Sequence, residues 1–211
     1  MTRLAWLPQP LRSWLRVRRD ALRRSGQQRA LLALAHAPQR RIIIGSSGTF
    51  MPGWVATDQE LIDLLVDESW RRFFAPASLD AILAEHVWEH LSAEQGRAAA
   101  ATCHRYLKPG GYLRVAVPDG LHPEADYLRA VRPPADGHRM LYTHASFSQL
   151  FRELGFDVRL YEYFDEAGRF HFSEWRAEDG MVRRSRRFDP RNSEARLGYT
   201  SIVLDAVKRD A

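Results

Sequence analysis

The densest group of reactive side chains is Glu85-His86-Val87-Trp88-Glu89-His90. On a helix, H-x-x-E-H sets two imidazoles one turn apart with a carboxylate beside them, the arrangement of an inverted zinc-peptidase motif. A zinc hydrolase using His86, Glu89 and His90 is therefore one reading. It requires a longer helix than the surrounding residues allow and a third ligand from another helix. Glu153 and Glu166 are acids that can be put forward, and neither has distinctive context. No metal ligand is assigned on this basis, and well under one zinc per chain is expected. A second group is Gly45-Ser46-Ser47-Gly48-Thr49, directly after the β-branched run Ile42-Ile43-Ile44. Glycines just past a first parallel strand let the backbone turn sharply and approach a ligand closely.

Strands and helices must hold these groups in place. Leu79 to Ala84 is an apolar run of strand length. Ser92 followed by Gln95 is a capping box, and the alanines after it favour helix. Pro109-Gly110-Gly111 ends that helix and turns the chain into a second apolar strand, Tyr112 to Val117. Strand, helix and strand make one βαβ unit, which implies a parallel sheet. Pro52-Gly53 turns into a short strand ending at Asp58, and Leu61 to Val66 reads as a third strand carrying Asp63. Trp70, Phe73 and Phe74 read as packing against the sheet. Asp126 to Val131 is a short helix closed by Pro133-Pro134. Tyr142 to Gly155 is an amphipathic helix with Phe147, Leu150, Phe151 and Leu154 on one face. Phe156 to Phe164 and Tyr199 to Ala206 are strands. Between them, Asp179-Gly180 flanked by two runs indicates a β-hairpin insertion over about 166–199.

Asp80-Ala81-Ile82, the segment Glu85 to Leu91, and Tyr106-Leu107-Lys108-Pro109-Gly110-Gly111 together resemble the second half of class I S-adenosylmethionine-dependent methyltransferases. Specifically, they are similar to a bacterial group of small methyltransferases with poorly defined substrates, and the resemblance runs from about Ile42 to the C-terminus. It implies an α/β, Rossmann-like, doubly wound sheet of seven mostly parallel strands with an antiparallel last strand and helices on both faces. It also implies S-adenosylmethionine as cofactor, with Gly45, Ser46, Ser47, Gly48, Asp58, Asp63 and Glu85 around it. Asp58 is the acid expected to accept the ribose hydroxyls. Ser47 stands at the family's second glycine position, and Ile43 where an acid often precedes the first. A sulfonium methyl is already activated, so the protein mainly aligns an acceptor, and a hydroxyl acceptor gains from a general base. Of Glu85, His86, Asp119, His122, His138 and Tyr142, the first choices for that base are His86 and Asp119. A methyltransferase-fold protein that binds without catalysing is the other reading carried forward.

The 211 residues carry a net charge of +5, unevenly spread. Residues 1–41 hold ten arginines against Asp20 alone, +9, and the remainder sums to −4. This divides the chain into a basic helical extension, 1–38, and a methyltransferase-like domain, 39–211. Within the extension, Leu11 to Ser25 reads as one helix, ended by Ser25-Gly26, and Gln27 to His36 as another. Arg12, Arg16, Arg19 and Arg23 share a face. A solvated helix packed on the sheet is the first reading. Peripheral contact of residues 11–25 with an anionic membrane is the second. The mildly acidic domain disfavours nucleic acid and leaves a small molecule or a saccharide as acceptor. One cysteine, Cys103, and no membrane-length apolar run fit a cytoplasmic protein.

Overall fold

The computed structural model describes residues 9–210, with the side chains of residues 10–12, 14 and 16 excepted. The chain begins with α1 (Gln9–Leu34). It is followed by β1 (Arg41–Ile44), β2 (Val55–Ala56), α2 (Asp67–Arg71), β3 (Leu79–Glu85), α3 (Ala93–Tyr106), β4 (Leu107–Pro118), α4 (Ala125–Val131), α5 (His144–Arg152), β5 (Phe156–Phe164), β6 (Phe170–Phe172) and β7 (Ser201–Lys208). The strands form one seven-stranded sheet in the order β2-β1-β3-β4-β7-β5-β6. Pairing is parallel from β2 to β4, and β7 runs antiparallel between β4 and β5. The α/β fold expected from the sequence is therefore present.

Alternation along the strands sorts two cores. Ile42, Ile44, Ile82, Ala84, Val115 and Leu204 face the helices, where Leu31, Trp70, Ala99, Cys103, Phe147 and Phe151 meet them. Ile43, Ala81, Leu83, Ala116 and Val203 face the other way, onto Met51, Trp54, Trp175 and Val182. Among the described residues, helices thus cover one face and not both, which corrects the doubly wound arrangement expected from the sequence. The other carries the largely irregular segment 173–200 in place of a further long helix. Three charged strand residues pin that segment. Arg114 donates to the Arg176 and Gly180 carbonyls and pairs with Asp205 at 2.7 Å. Glu162 accepts from Trp175 Nε1 and the Arg186 N–H. Glu85 accepts from the Arg183 and Arg184 N–H groups.

Several expectations are corrected. Residues 61–66 are not a strand. The Asp63 carboxylate accepts the Leu65 N–H, and the Leu61 and Ile62 N–H groups bond the Asp58 carbonyl, so local turns take the donors that a ladder needs. The seventh strand is instead β6, at the opposite edge. Asp179-Gly180 does not turn a hairpin; the hairpin pairs β5 with β6 around Asp165–Gly168. Pro109-Gly110-Gly111 does turn the chain, but as a bulge inside β4: Leu79 pairs with Leu107 and Ala81 with Tyr112.

Ser25-Gly26 does not end the first helix, and α1 is continuous. Glycine costs a helix interior about 1 kcal/mol. Fully burying a leucine stabilises by about 1.5–3 kcal/mol, and both Leu31 and Leu34 are buried beyond Gly26. Of the expected arginine stripe, Arg23 turns onto the domain, and the side chains of Arg12 and Arg16 lie outside the described residues. No helix among the described residues is long and apolar enough to cross a membrane.

Candidate active site

A cleft of about 720 Å³ opens at the C-terminal edge of β1 and β3. Ile43, Ile44 and Leu83 form its floor, Gly45 to Ser47 one rim, Glu85 to His90 another, and residues 181–191 lie across it. This is where an open α/β sheet binds ligands. The Gly45 loop is tight. Gly45 has φ +60°, and a Cβ there would lie 2.9 Å from Val87 Cγ2. Ser47, at the family's glycine position, has φ +45°, a left-handed conformation that disfavours a side chain. Its N–H donates to Asp58 Oδ1 at 3.0 Å, which holds the strained residue in place.

Asp58 sits behind this loop with four donors. Oδ1 accepts from Ser46 Oγ and the Ser47 N–H; Oδ2 accepts from Arg23 Nη2 at 2.6 Å and Gln27 Nε2 at 3.0 Å. Burial alone would raise its pKa. The bonds from Gln27, Ser47 and Ser46 and the charge of Arg23 outweigh that and hold it below the usual carboxylate range. Glu85 lines the cleft with its carboxylate already on the 183–184 backbone. Gly48, Asp58 and Asp63 are not among the residues lining the cleft; Asp58 opens on a shallower depression on the other side of the Gly45 loop, with Arg23, Gln59 and Glu60. Asp63 closes its own turn and accepts from Gln59 Nε2.

His86 is drawn into the cleft by a left-handed kink, φ +54°, at the end of β3. Its N–H bonds the Ala116 carbonyl at 2.8 Å, which fixes that conformation. Nε2 lies 2.9 Å from Ser201 Oγ, and Nδ1 lies 3.0 Å from Glu89 Oε1. The Ser201 hydroxyl donates to the Arg184 carbonyl, so it accepts from His86 Nε2–H. Residues 88–90 form a single 3₁₀ turn, so the H-x-x-E-H segment is not the long helix of a zinc peptidase.

Asp119, the other residue ranked first for catalysis, is corrected to a structural role. It is fully buried and lies outside the cleft. Its carboxylate accepts the Phe164 and Leu121 N–H groups and so ties the end of β4 to β5. Burial pushes its pKa up to about 6 against those bonds. His122 is buried too, stacked on Tyr127 with ring centroids 3.9 Å apart, and Tyr142 lies under α5. His138 does reach the cleft, beside Glu89 and His90. The candidate third ligand is thus His138, and neither Glu153 nor Glu166 takes that place. Sequence reasoning also missed Arg183, Arg184, Asp189 and Arg191 as cleft residues. The basic cluster Arg183-Arg184-Ser185-Arg186-Arg187 was their one visible signal.

A mixed sheet with β7 inserted antiparallel, a glycine-bearing loop after β1 and acids after β2 and β3 define a class I methyltransferase fold. The family model for a methyltransferase domain matches residues 23–161, and the chain belongs to that family. Its cofactor is S-adenosylmethionine. An S-adenosylmethionine-dependent methyltransferase from Archaeoglobus fulgidus is similar in structure: TM-score 0.50, 13% identity, 88% of this chain and 94% of that one covered. One from Thermotoga maritima gives a TM-score of 0.46 at 15% identity, covering 91% and 93%. No curated protein matches the sequence.

Proposed function

We propose that this protein transfers the methyl group of S-adenosylmethionine to a hydroxyl of a small molecule or saccharide held in the cleft. The residues fit that cofactor in part: the Gly45–Ser47 rim and Glu85 line the cleft, and the Asp58 carboxylate lies behind the rim, in a neighbouring depression with Arg23, Gln59 and Glu60. The cofactor supplies an electrophilic methyl on a sulfonium. Gly45, Ser46 and Ser47 shape the rim that holds it, and Asp58 offers acceptor oxygens once Arg23 or Gln27 gives way. The observation that carries the reading is His86, forced into a left-handed turn with its ring between Ser201 and Glu89. Residues held in a strained backbone conformation cluster at functional sites. With Nε2–H donating to Ser201 Oγ, Nδ1 is the nitrogen left to accept a proton, once it swings off Glu89 Oε1. That atom takes the proton of the acceptor hydroxyl, and the Glu89 carboxylate 3.0 Å away offsets the charge that forms.

The four donors on Asp58 favour a second reading, in which the fold binds a ligand without transferring a group. Labelled S-adenosylmethionine incubated with a panel of saccharides and small hydroxyl compounds separates the two. Transfer to at least one acceptor is expected, reduced by roughly 10²-fold or more in folded His86→Ala, the size of a general-base contribution. Transfer at the wild-type rate in that variant would remove His86 from catalysis.

A further inference from the structure

Glu89, His90 and His138 form a cluster of which methyl transfer as described uses only Glu89 Oε1, beside His86. One ligand atom from each lies within 4.8 Å of the other two, and all three residues line the cleft. Backbone bonds build this meeting of distant segments. The Glu89 carbonyl accepts the Arg139 N–H at 2.7 Å and the Met140 N–H at 3.1 Å, which clamps the His138 segment onto the 3₁₀ turn.

Both imidazoles are tethered through Nδ1 to a backbone carbonyl. His138 Nδ1 lies 2.7 Å from the Val131 carbonyl, and His90 Nδ1 lies 3.4 Å from the Gly137 carbonyl. A carbonyl only accepts, so each Nδ1 carries its proton and each Nε2 keeps a free lone pair. Outer carbonyls that fix the tautomer and aim of a ligating histidine recur around bound metals. The rings stand edge to face, with centroids 5.0 Å apart.

The independent observation is Glu89. Its side chain is 1% exposed, and among the described residues neither carboxylate oxygen has an aligned hydrogen-bond donor. A buried carboxylate without donors is costly unless a cation neutralises it. His86 approaches Oε1 only, so the second oxygen is available to the cluster.

From this geometry we infer a divalent-cation site formed by Glu89, His90 and His138. Two imidazoles and one carboxylate suit a first-row transition ion such as Zn²⁺ or Co²⁺, whereas Mg²⁺ and Ca²⁺ favour oxygen. Ligand bonds of about 2.0–2.2 Å require the three atoms to draw together on binding. Three protein ligands leave an open position toward the cleft, as in catalytic rather than structural sites. An oxygen of the bound acceptor is the group of matching chemistry for that position. The site does not depend on the assignment of the methyl donor.

The test uses the full chain, purified without an affinity tag, stripped with a chelator and titrated with Co²⁺ while visible absorption is recorded. One Co²⁺ per chain is expected, displaced by Zn²⁺. His90→Ala and His138→Ala should each weaken Co²⁺ binding at least tenfold with an unchanged far-ultraviolet spectrum, and the exposed-histidine control His36→Ala should not. His138→Gln covers the case in which the alanine variant fails to fold. No stoichiometric Co²⁺ or Zn²⁺, or equal affinity in folded His90 and His138 variants, would overturn the site. Either result leaves the methyltransferase reading standing, because no methyl donor enters the measurement.

Discussion

Single buried ionisable groups give this protein opposing responses to acid. Burial pushes the His122 pKa down to about 4, against the pull of Glu124. An unfolded histidine titrates near 6.5. Between those values the unfolded chain binds more protons, so His122 makes stability fall as pH drops from about 6.5 toward 4. Asp119 acts with the other sign. Its folded pKa is raised to about 6, so the folded state holds the extra proton. That contribution is complete below the unfolded value near 3.9 and is lost as pH rises through 6. Denaturant midpoints measured across pH 4–7 should therefore separate two variants. His122→Phe should lose the acid-side decline, and Asp119→Asn should deepen it. Parallel curves for wild type and both variants would contradict these assignments. The residue scale was also where sequence was least informative. Asp119 and His86 both follow apolar strands and read alike. Only the fold shows that Asp119 turns inward onto the Phe164 and Leu121 N–H groups while a left-handed backbone turns His86 out to the cleft.

Elements were legible where local signals agreed. Ser92 and Gln95 do form a capping box, and β5 runs over the expected residues Phe156–Phe164. Local signals failed where distant contacts decided. Ile62 and Leu64 are buried with strand-like alternation, yet Asp63 bonds the neighbouring backbone and makes a turn. Gly26 looked like a helix stop, but contacts on either side of it, Arg23 on Asp58 and Leu31 in the core, carry α1 through. Among the described residues, nothing lies within 4 Å of where a Cβ on Gly26 would sit. Gly26→Ala should therefore stabilise the protein by about 0.5–1 kcal/mol, the helix-interior difference between the two residues. Thermal unfolding measures it; a lowered midpoint would show that α1 is not continuous there.

At the scale of the whole molecule, an irregular segment closes the cleft, and buried charge holds that segment. Arg114 is almost wholly buried, and its guanidinium binds Asp205, two carbonyls of the segment and the face of Trp175. Burial would lower its pKa, and Asp205 more than restores it. Asp205→Ala leaves that cation uncompensated and should destabilise by about 3–5 kcal/mol, read from denaturant unfolding. A change below about 1 kcal/mol would mean that the segment is held by its apolar contacts alone. The central claim is that this cleft binds the cofactor of its family. Calorimetry with S-adenosylhomocysteine tests it most directly. One site per chain is expected, weakened by about 1.5–3 kcal/mol in folded Asp58→Ala, as for hydrogen bonds to a charged group. No saturable binding of S-adenosylhomocysteine or S-adenosylmethionine to the wild-type chain would contradict the account.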